Sequence, residues 1–219
     1  MNKQTESGSN DNEIEQRQPT SRRSGVNLPM LAAGAAVAGI AAYYHALPRK
    51  DPIRTAGMPE RYVIETPNRI DLQKNTECAA FSSAYVLRHL GTETDGNELY
   101  RAFPRKLLDG TVDPRGILVL FRKRGYRAEF YRGSIETLKK RVSLGIPVIA
   151  FIKVHADQRY AHFAPVVGYD QDYFYLADSL GHKINCSEPT HNRKIPIAEL
   201  EQLWRTNPFY KQSYIVVSP

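Results

Sequence analysis

The sequence predicts an α+β fold, and the change of hydrophobic period along its second half carries that prediction. Helical patterns come first, at 76–90, 114–123 and 134–145. Strand patterns follow, with a continuous apolar run at 147–154 and two further strands at 161–169 and 173–177. Helices followed by strands, rather than strict alternation, point away from a β-α-β sheet. A third observation is a 20-residue stretch, Leu28–Leu47, that holds no Asp, Glu, Lys or Arg.

Each element has a local cause. Residues 76–90 form a helix capped by Asn75 or Thr76 and closed by Gly91. Residues 114–123 form a helix that starts on Pro114 and ends before Gly125, and 126–131 is a strand. Ser134, with Glu136 and Thr137 in the first turn, opens a helix that stops at Gly145, just before Pro147. Residues 197–204 read as a short helix and 213–217 as a closing strand. Pro165 cannot donate to a ladder, so its strand is expected at an edge or with a bulge.

Upstream, residues 1–24 hold one aliphatic side chain, Ile14, beyond the first Met, and read as a disordered tail. Residues 25–47 read as one transmembrane or signal-anchor helix. As a helix, the 20-residue run covers about 30 Å, the thickness of a hydrocarbon core. Membrane lipid is then a partner of this segment, with a single-pass location and the domain outside the cytoplasm. A cleaved signal peptide, releasing a secreted domain, is the competing reading. Residues 48–59 read as a linker and 60–219 as one domain.

Composition narrows the function. The 219 residues are 42% hydrophobic and 24% charged, with 30 Lys and Arg against 23 Asp and Glu. That is ordinary globular composition. The net charge of +7 is spread out, without the basic clusters and interleaved aromatics of a nucleic-acid module, so no nucleic-acid partner is expected. Two cysteines, 78 and 186, exclude a disulfide scaffold and a four-cysteine zinc site.

Chemistry centres on Cys78 in Thr76-Glu77-Cys78-Ala79-Ala80-Phe81. A cysteine in the first turn of a helix meets unpaired N–H groups and the positive end of the dipole, which favour the thiolate nucleophile. The plain alternative is a small core residue. Of six histidines, His162 alone opens a strand, in His162-Phe163-Ala164-Pro165-Val166-Val167-Gly168. With a three-residue loop centred on Gln171, residue 162 lies opposite 180, and Asp178 is a same-face diagonal neighbour able to orient the imidazole. A two-residue turn would reverse that parity. Gln73 precedes the helix and supplies a carboxamide donor for an oxyanion beside the Cys78 N–H.

These stretches, E-C-A-A-F-S-S-A after a Gln, L-G-I-P-V-I-A-F-I, H-F-A-P-V-V-G-Y-D and Y-L-A-D-S, resemble the papain-like cysteine peptidases of bacteria that process bacteriocins by cutting double-glycine leaders, together with their stand-alone, membrane-tethered relatives. The resemblance spans about residues 60–217. It implies a papain-like fold, with a nucleophile helix in an N-terminal helical part and a C-terminal antiparallel sheet. It also implies Cys78 as nucleophile, His162 as base and then acid, Asp178 as orienting group, Gln73 as oxyanion donor and a peptide or protein substrate, with no cofactor. Three departures stand out: Gln73 is five rather than six residues before the cysteine, Ala79 replaces a frequent Gly, and Pro165 interrupts the histidine strand. The transporter spans and nucleotide-binding domain of leader-cutting exporters are not in this sequence.

Rival readings remain open at this level. An acyltransferase or amidase would use the same triad with another acceptor, and an inactive relative would bind peptide without cutting it. Cys186 could pair with Cys78 and silence it. His182, Cys186 and His191 are few for a structural zinc site, and no metal is expected.

Overall fold

The computed structural model describes residues 28–219, so the expected tail at 1–24 lies outside the described residues, as do 25–27. Helix α1 (Leu28–Tyr44) precedes two short strands, β1 (Arg49–Lys50) and β2 (Tyr62–Val63). Helices α2 (Cys78–His89), α3 (Gly96–Arg101) and α4 (Pro114–Lys123) follow, then β3 (Arg127–Arg132) and α5 (Ile135–Val142). The last part holds β4 (Val148–Lys153), β5 (Ala161–Tyr169), β6 (Tyr173–Leu176), a 3-10 turn at Gly181–Lys183, β7 (Arg193–Pro196), α6 (Ile197–Leu203) and β8 (Ser213–Ser218). The chain separates into two units between Val37 and Ala38, and the sheet belongs entirely to the second.

The membrane span expected over 25–47 is not found. Helix α1 has 17 residues, about 26 Å at about 1.5 Å per residue. No helix among the described residues is long and apolar enough to cross a membrane. Alanine fills much of the segment and contributes little apolar surface. The single-pass location and the lipid partner assigned to 25–47 therefore lose their spanning helix.

Residues 48–59, expected as a linker, instead join the domain. β1 pairs in parallel with β3, Arg49 opposite Tyr131 and Lys50 opposite Arg132. The Asp51 side chain is fully buried. It accepts hydrogen bonds from Arg141 Nε (2.9 Å) and Nη2 (2.6 Å), the Tyr214 hydroxyl (2.6 Å) and the Ile53 N–H (2.9 Å). Burial alone would raise its carboxyl pKa, but those donors hold it below the ordinary carboxylate value.

The sheet runs β1-β3-β8-β4-β5-β6-β7, with β2 paired to the end of β5. It is mixed rather than wholly antiparallel, because β1 is parallel to β3, and β3 comes from the helical half. β4 explains why its run has no polar alternation. Ile149 and Phe151 pack with residues of α2 and α4, while Val148, Ala150 and Ile152 pack with Leu138, Leu200 and Trp204 of the α5 and α6 region. Both faces are covered, so both are apolar. The expected stops hold: Gly91 and Gly125 follow α2 and α4 with φ of 86° each, a left-handed conformation that favours glycine. Ser134 and Thr137 make a reciprocal capping box on α5.

Four elements have no counterpart in the sequence reading. β1 and β2 are two residues long, and β7 sits in a stretch whose composition suggests a polar loop. Helix α3 is the fourth, although Asp95 caps it by accepting from the Glu98 N–H at 2.8 Å. At the start of α2 the expected cap is absent. Glu77 is the N-cap, with no side-chain cap bond, and its carboxylate accepts from the Asn75 N–H (2.7 Å).

Replacing Asp51 by Ala would leave Arg141 without its buried counter-charge, a class of change that costs about 3–5 kcal/mol. The expected melting temperature falls by on the order of 10 °C for a domain of this size, measurable by circular dichroism. A shift near zero would show that the 48–59 segment contributes nothing to the fold.

Candidate active site

The β5–β6 hairpin positions the first two polar groups of the site. Its turn differs from the expected three-residue loop. Asp170 N–H donates to the Tyr173 carbonyl (2.9 Å), leaving Gln171 and Asp172 as a two-residue turn. The Asp170 carboxylate accepts from the N–H groups of Asp172 (2.9 Å) and Tyr173 (2.7 Å) and from the Tyr175 hydroxyl, which fixes the turn. Near the turn, Tyr169 pairs with Phe174 and Gly168 with Tyr175. That register taken alone would put His162 and Asp178 on opposite faces.

A β-bulge reverses it. Between Gly168 and Val166 the partner advances only from Tyr175 to Leu176, so Val167 is the extra residue. Beyond the bulge, the Val166–Leu176 register extrapolates to 162 opposite 180, with Asp178 diagonal to His162 on one face. The bulge lies two residues beyond Pro165, and β5 is interior, between β4 and β6. Pro165 pairs with Ile149 and accepts from the Ala177 N–H (2.9 Å), so its missing donor is accommodated inside the sheet. Gly168 makes the crossing of β2 possible: a Cβ there would lie 2.8 Å from both the Tyr62 carbonyl oxygen and the Tyr175 ring.

His162 Nε2 meets Asp178 Oδ1 at 2.8 Å, with both side chains sealed from solvent. Asp178 Oδ1 also accepts from the Leu180 N–H (2.9 Å), and Oδ2 accepts from Arg193 Nη1 (2.8 Å). Its backbone is gripped by Asn192, whose Oδ1 accepts from the Asp178 N–H and whose Nδ2 donates to the Asp178 carbonyl, each at 2.8 Å. Burial alone would push the Asp178 pKa up, but the His162 and Arg193 charges and these donors take it well below the usual carboxylate range.

Cys78 is the first residue of α2 and is partly exposed. It lines the same cleft as His162 and is among the groups that raise the imidazole pKa. Because Nε2 faces Asp178, Nδ1 is the ring nitrogen left for the thiol. Ser82, one turn further along α2, donates to the Phe163 carbonyl of β5 at 2.7 Å and fixes the helix against the strand that carries His162. Burial of the imidazole disfavours its charged form, yet the Asp178 carboxylate and the nearby sulfur outweigh burial and push the His162 pKa up to about 9. The ring is therefore an imidazolium at neutral pH.

Gln73 lies in the same cleft as Cys78 and His162, a space of about 360 Å³ also lined by Phe151, Tyr160 and Leu180. The Ser179 hydroxyl donates to Gln73 Oε1 (2.6 Å), and the Gln73 N–H donates to the Ser179 carbonyl (2.9 Å). With Oε1 occupied, the amide nitrogen faces the remaining partners. One of its protons goes to the Asn75 carbonyl at 2.5 Å and one is left over. The segment that carries Asp178 thus also orients Gln73.

Sequence reasoning missed Ser179, Asn192 and Arg193. Ser179 follows Asp178 directly in the Y-L-A-D-S motif, which was the available signal. Nothing local marks Asn192 and Arg193, because β7 brings them to Asp178 from 14 and 15 residues away. The other expectations fall elsewhere. Cys78 and Cys186 are both free thiols. His182 stacks on His155 (6.5 Å between centroids) and His191 on Tyr175 (4.5 Å). No group of three His, Cys, Asp or Glu able to hold a metal occurs among the described residues.

Comparison with known proteins gives this geometry a context. The model of the peptidase C39 family matches residues 68–208. No curated protein matches the chain. Among solved structures, a C39-like peptidase from Bacillus anthracis is similar with a TM-score of 0.57 and 20% identity, over 74% of this chain and 99% of that one. The peptidase domain of Streptococcus ComA, a bifunctional ABC transporter of a quorum-sensing pathway, gives 0.53 and 15%, over 69% and 98%. A double-glycine-motif protease from an AMS/PCAT transporter, solved with its leader peptide, gives 0.51 and 20%, over 72% and 97%. At such identities the likeness to these structures is one of fold.

Asp178→Asn removes the charge that outweighs burial at His162. The ring pKa is expected to drop from about 9 to below the ordinary 6.5, followed by NMR titration of the imidazole carbons. A pKa that stays near 9 would show that some group other than the Asp178 carboxylate holds the proton on the ring.

Proposed function

Because the chain belongs to the peptidase C39 family, we propose that it cuts a peptide bond by the thiol mechanism, with Cys78, His162 and Asp178 as its triad and Gln73 as oxyanion donor. The observation that carries the reading is the buried 2.8 Å contact between His162 Nε2 and Asp178 Oδ1, with Cys78 and His162 together in the wall of one cleft. No single structural role accounts for a sulfur, an imidazole and a carboxylate brought together in this order at the wall of an open cleft. A substrate of extended peptide class suits that cleft, and the leader peptide bound to a protein of similar fold supports the same class.

In this mechanism the Cys78 thiolate attacks the substrate carbonyl carbon, and the carbonyl oxygen becomes an oxyanion. The Cys78 N–H, in the unpaired first turn of α2, and the free Gln73 amide proton stabilise that charge. The C–N bond then breaks as the His162 imidazolium gives its proton to the leaving amine, which departs and leaves a thioester on Cys78. His162, now neutral, takes a proton from water, and the resulting hydroxide equivalent attacks the thioester. The C–S bond breaks, the acid product leaves, and the Cys78 thiolate is restored beside the reprotonated His162. Asp178 keeps the ring oriented and its charge compensated throughout without itself taking the proton.

The pH dependence follows from His162. The imidazolium is present below about 9, so alkylation of Cys78 by iodoacetamide is expected to be fast below pH 7, and peptidase kcat/KM to fall as pH rises through 9. His162→Ala should slow alkylation sharply at pH 6, and Cys78→Ala should abolish cleavage. Gln73→Ala should lower kcat by about 10²–10³ with a small change in KM. A flat, slow alkylation profile shared by the native chain and His162→Ala would end the enzymatic reading.

A further inference from the structure

A second cavity, about 1010 Å³ in volume, lies between the segment 41–49 and the surface made by α4, β3 and residues 207–210. Its lining is mainly apolar, with Ala46, Leu118, Phe130 and Phe209 among the walls. Two large apolar side chains at this site stay largely open to water, Leu47 at 71% and Phe209 at 65% exposure. Surface of this kind marks a place that something covers.

The polar groups say what charge that something carries. Three guanidinium groups line the cavity, from Arg49, Arg115 and Arg122, against one carboxylate, Glu129. Glu129 is already paired with Arg49. His45 and Tyr210 are both committed to Asp113 Oδ2, at 2.7 and 2.9 Å. Arg122 spends one donor on the Ala128 carbonyl at 2.9 Å. The Arg115 Nε is buried and has no hydrogen-bond partner among the described residues. Among the described residues no carboxylate pairs with Arg115 or Arg122, two positive charges beside an apolar hollow, and planar guanidinium forks match the oxygens of a phosphate.

We propose that this cavity binds one molecule of an anionic phosphate-headed amphiphile, its phosphate on Arg115 and Arg122 and its acyl chain along Ala46, Leu118, Phe130 and Phe209. The site is separate from the catalytic cleft, although Asp113, held here by His45 and Tyr210, is also part of the cleft wall. The ligand is a single amphiphile held in a pocket, which needs no spanning helix.

The test is isothermal titration of the full chain with monomeric lauroyl lysophosphatidylglycerol, kept below its micelle concentration. Saturable binding is expected, and net-neutral lauroyl lysophosphatidylcholine, laurate and inorganic phosphate should each bind at least tenfold more weakly. The double variant Arg115→Met with Arg122→Met should lose that preference, and Ala46→Trp, which fills the hollow, should lose binding. Peptidase activity and melting temperature report that these variants remain folded. Equal affinity for the neutral lipid, preference for laurate, or full affinity in either variant would overturn the proposal.

Discussion

A carboxylate with no access to water organises the half of this molecule that holds the candidate site. Asp178 is fully buried, and an ionised carboxyl in that position is tolerable only if its oxygens are occupied by donors or cations. Here one oxygen takes His162 and the Leu180 N–H, and the other takes Arg193. Asn192 fixes the backbone on both sides of it. The return of the chain through β7 supplies Asn192 and Arg193, so a short edge strand exists where it can neutralise a charge rather than where it adds much apolar burial. The imidazole is then held in one orientation and kept protonated, which suits an acid in the proposed reaction.

Two separate constraints bring the remaining groups to that ring. Helix α2 points its first turn at the strand because Ser82 ties it to the Phe163 carbonyl and because Ala79, Ala80 and Ala84 let it pack closely in the core. The Gln73 amide is set by Ser179, the neighbour of Asp178, so that loop controls both the proposed orienting group and the proposed oxyanion donor. Movement of 178–180 would disturb the two together. That linkage gives the 178–180 segment a purpose beyond ending a strand.

Much of this was legible along the chain. Strands β4, β5 and β6, helices α2, α4 and α5 and the glycines that stop α2 and α4 all follow from local pattern, since period and backbone preference act over a few residues. The juxtaposition of His162 and Asp178 was also reached, but through a three-residue turn that does not exist. The real turn is one residue shorter, and the bulge at Val167 adds the residue back. Two departures from an ideal hairpin cancel, and neither has a strong sequence mark: Val167 sits in an ordinary apolar run, and Gly168 and Pro165 hint only at some irregularity. Asn75 and Thr76 look like better caps than Glu77, yet the helix begins after them, with Glu77 at the N-cap position and no side-chain cap bond.

The sequence by itself determined where strands and helices lie, which residues are chemically able to act, and that the chain resembles a thiol peptidase family. Those features depend on side-chain type and on spacing over a turn or two. Tertiary structure alone decided that 48–59 is tied into the domain through β1 and the buried Asp51, that the sheet is mixed, and that Asn192, Arg193 and Ser179 support the candidate site. Each of these depends on which distant segment supplies a partner for a buried polar group, as Arg141 does for Asp51 across 90 residues, and short-range pattern does not encode that choice.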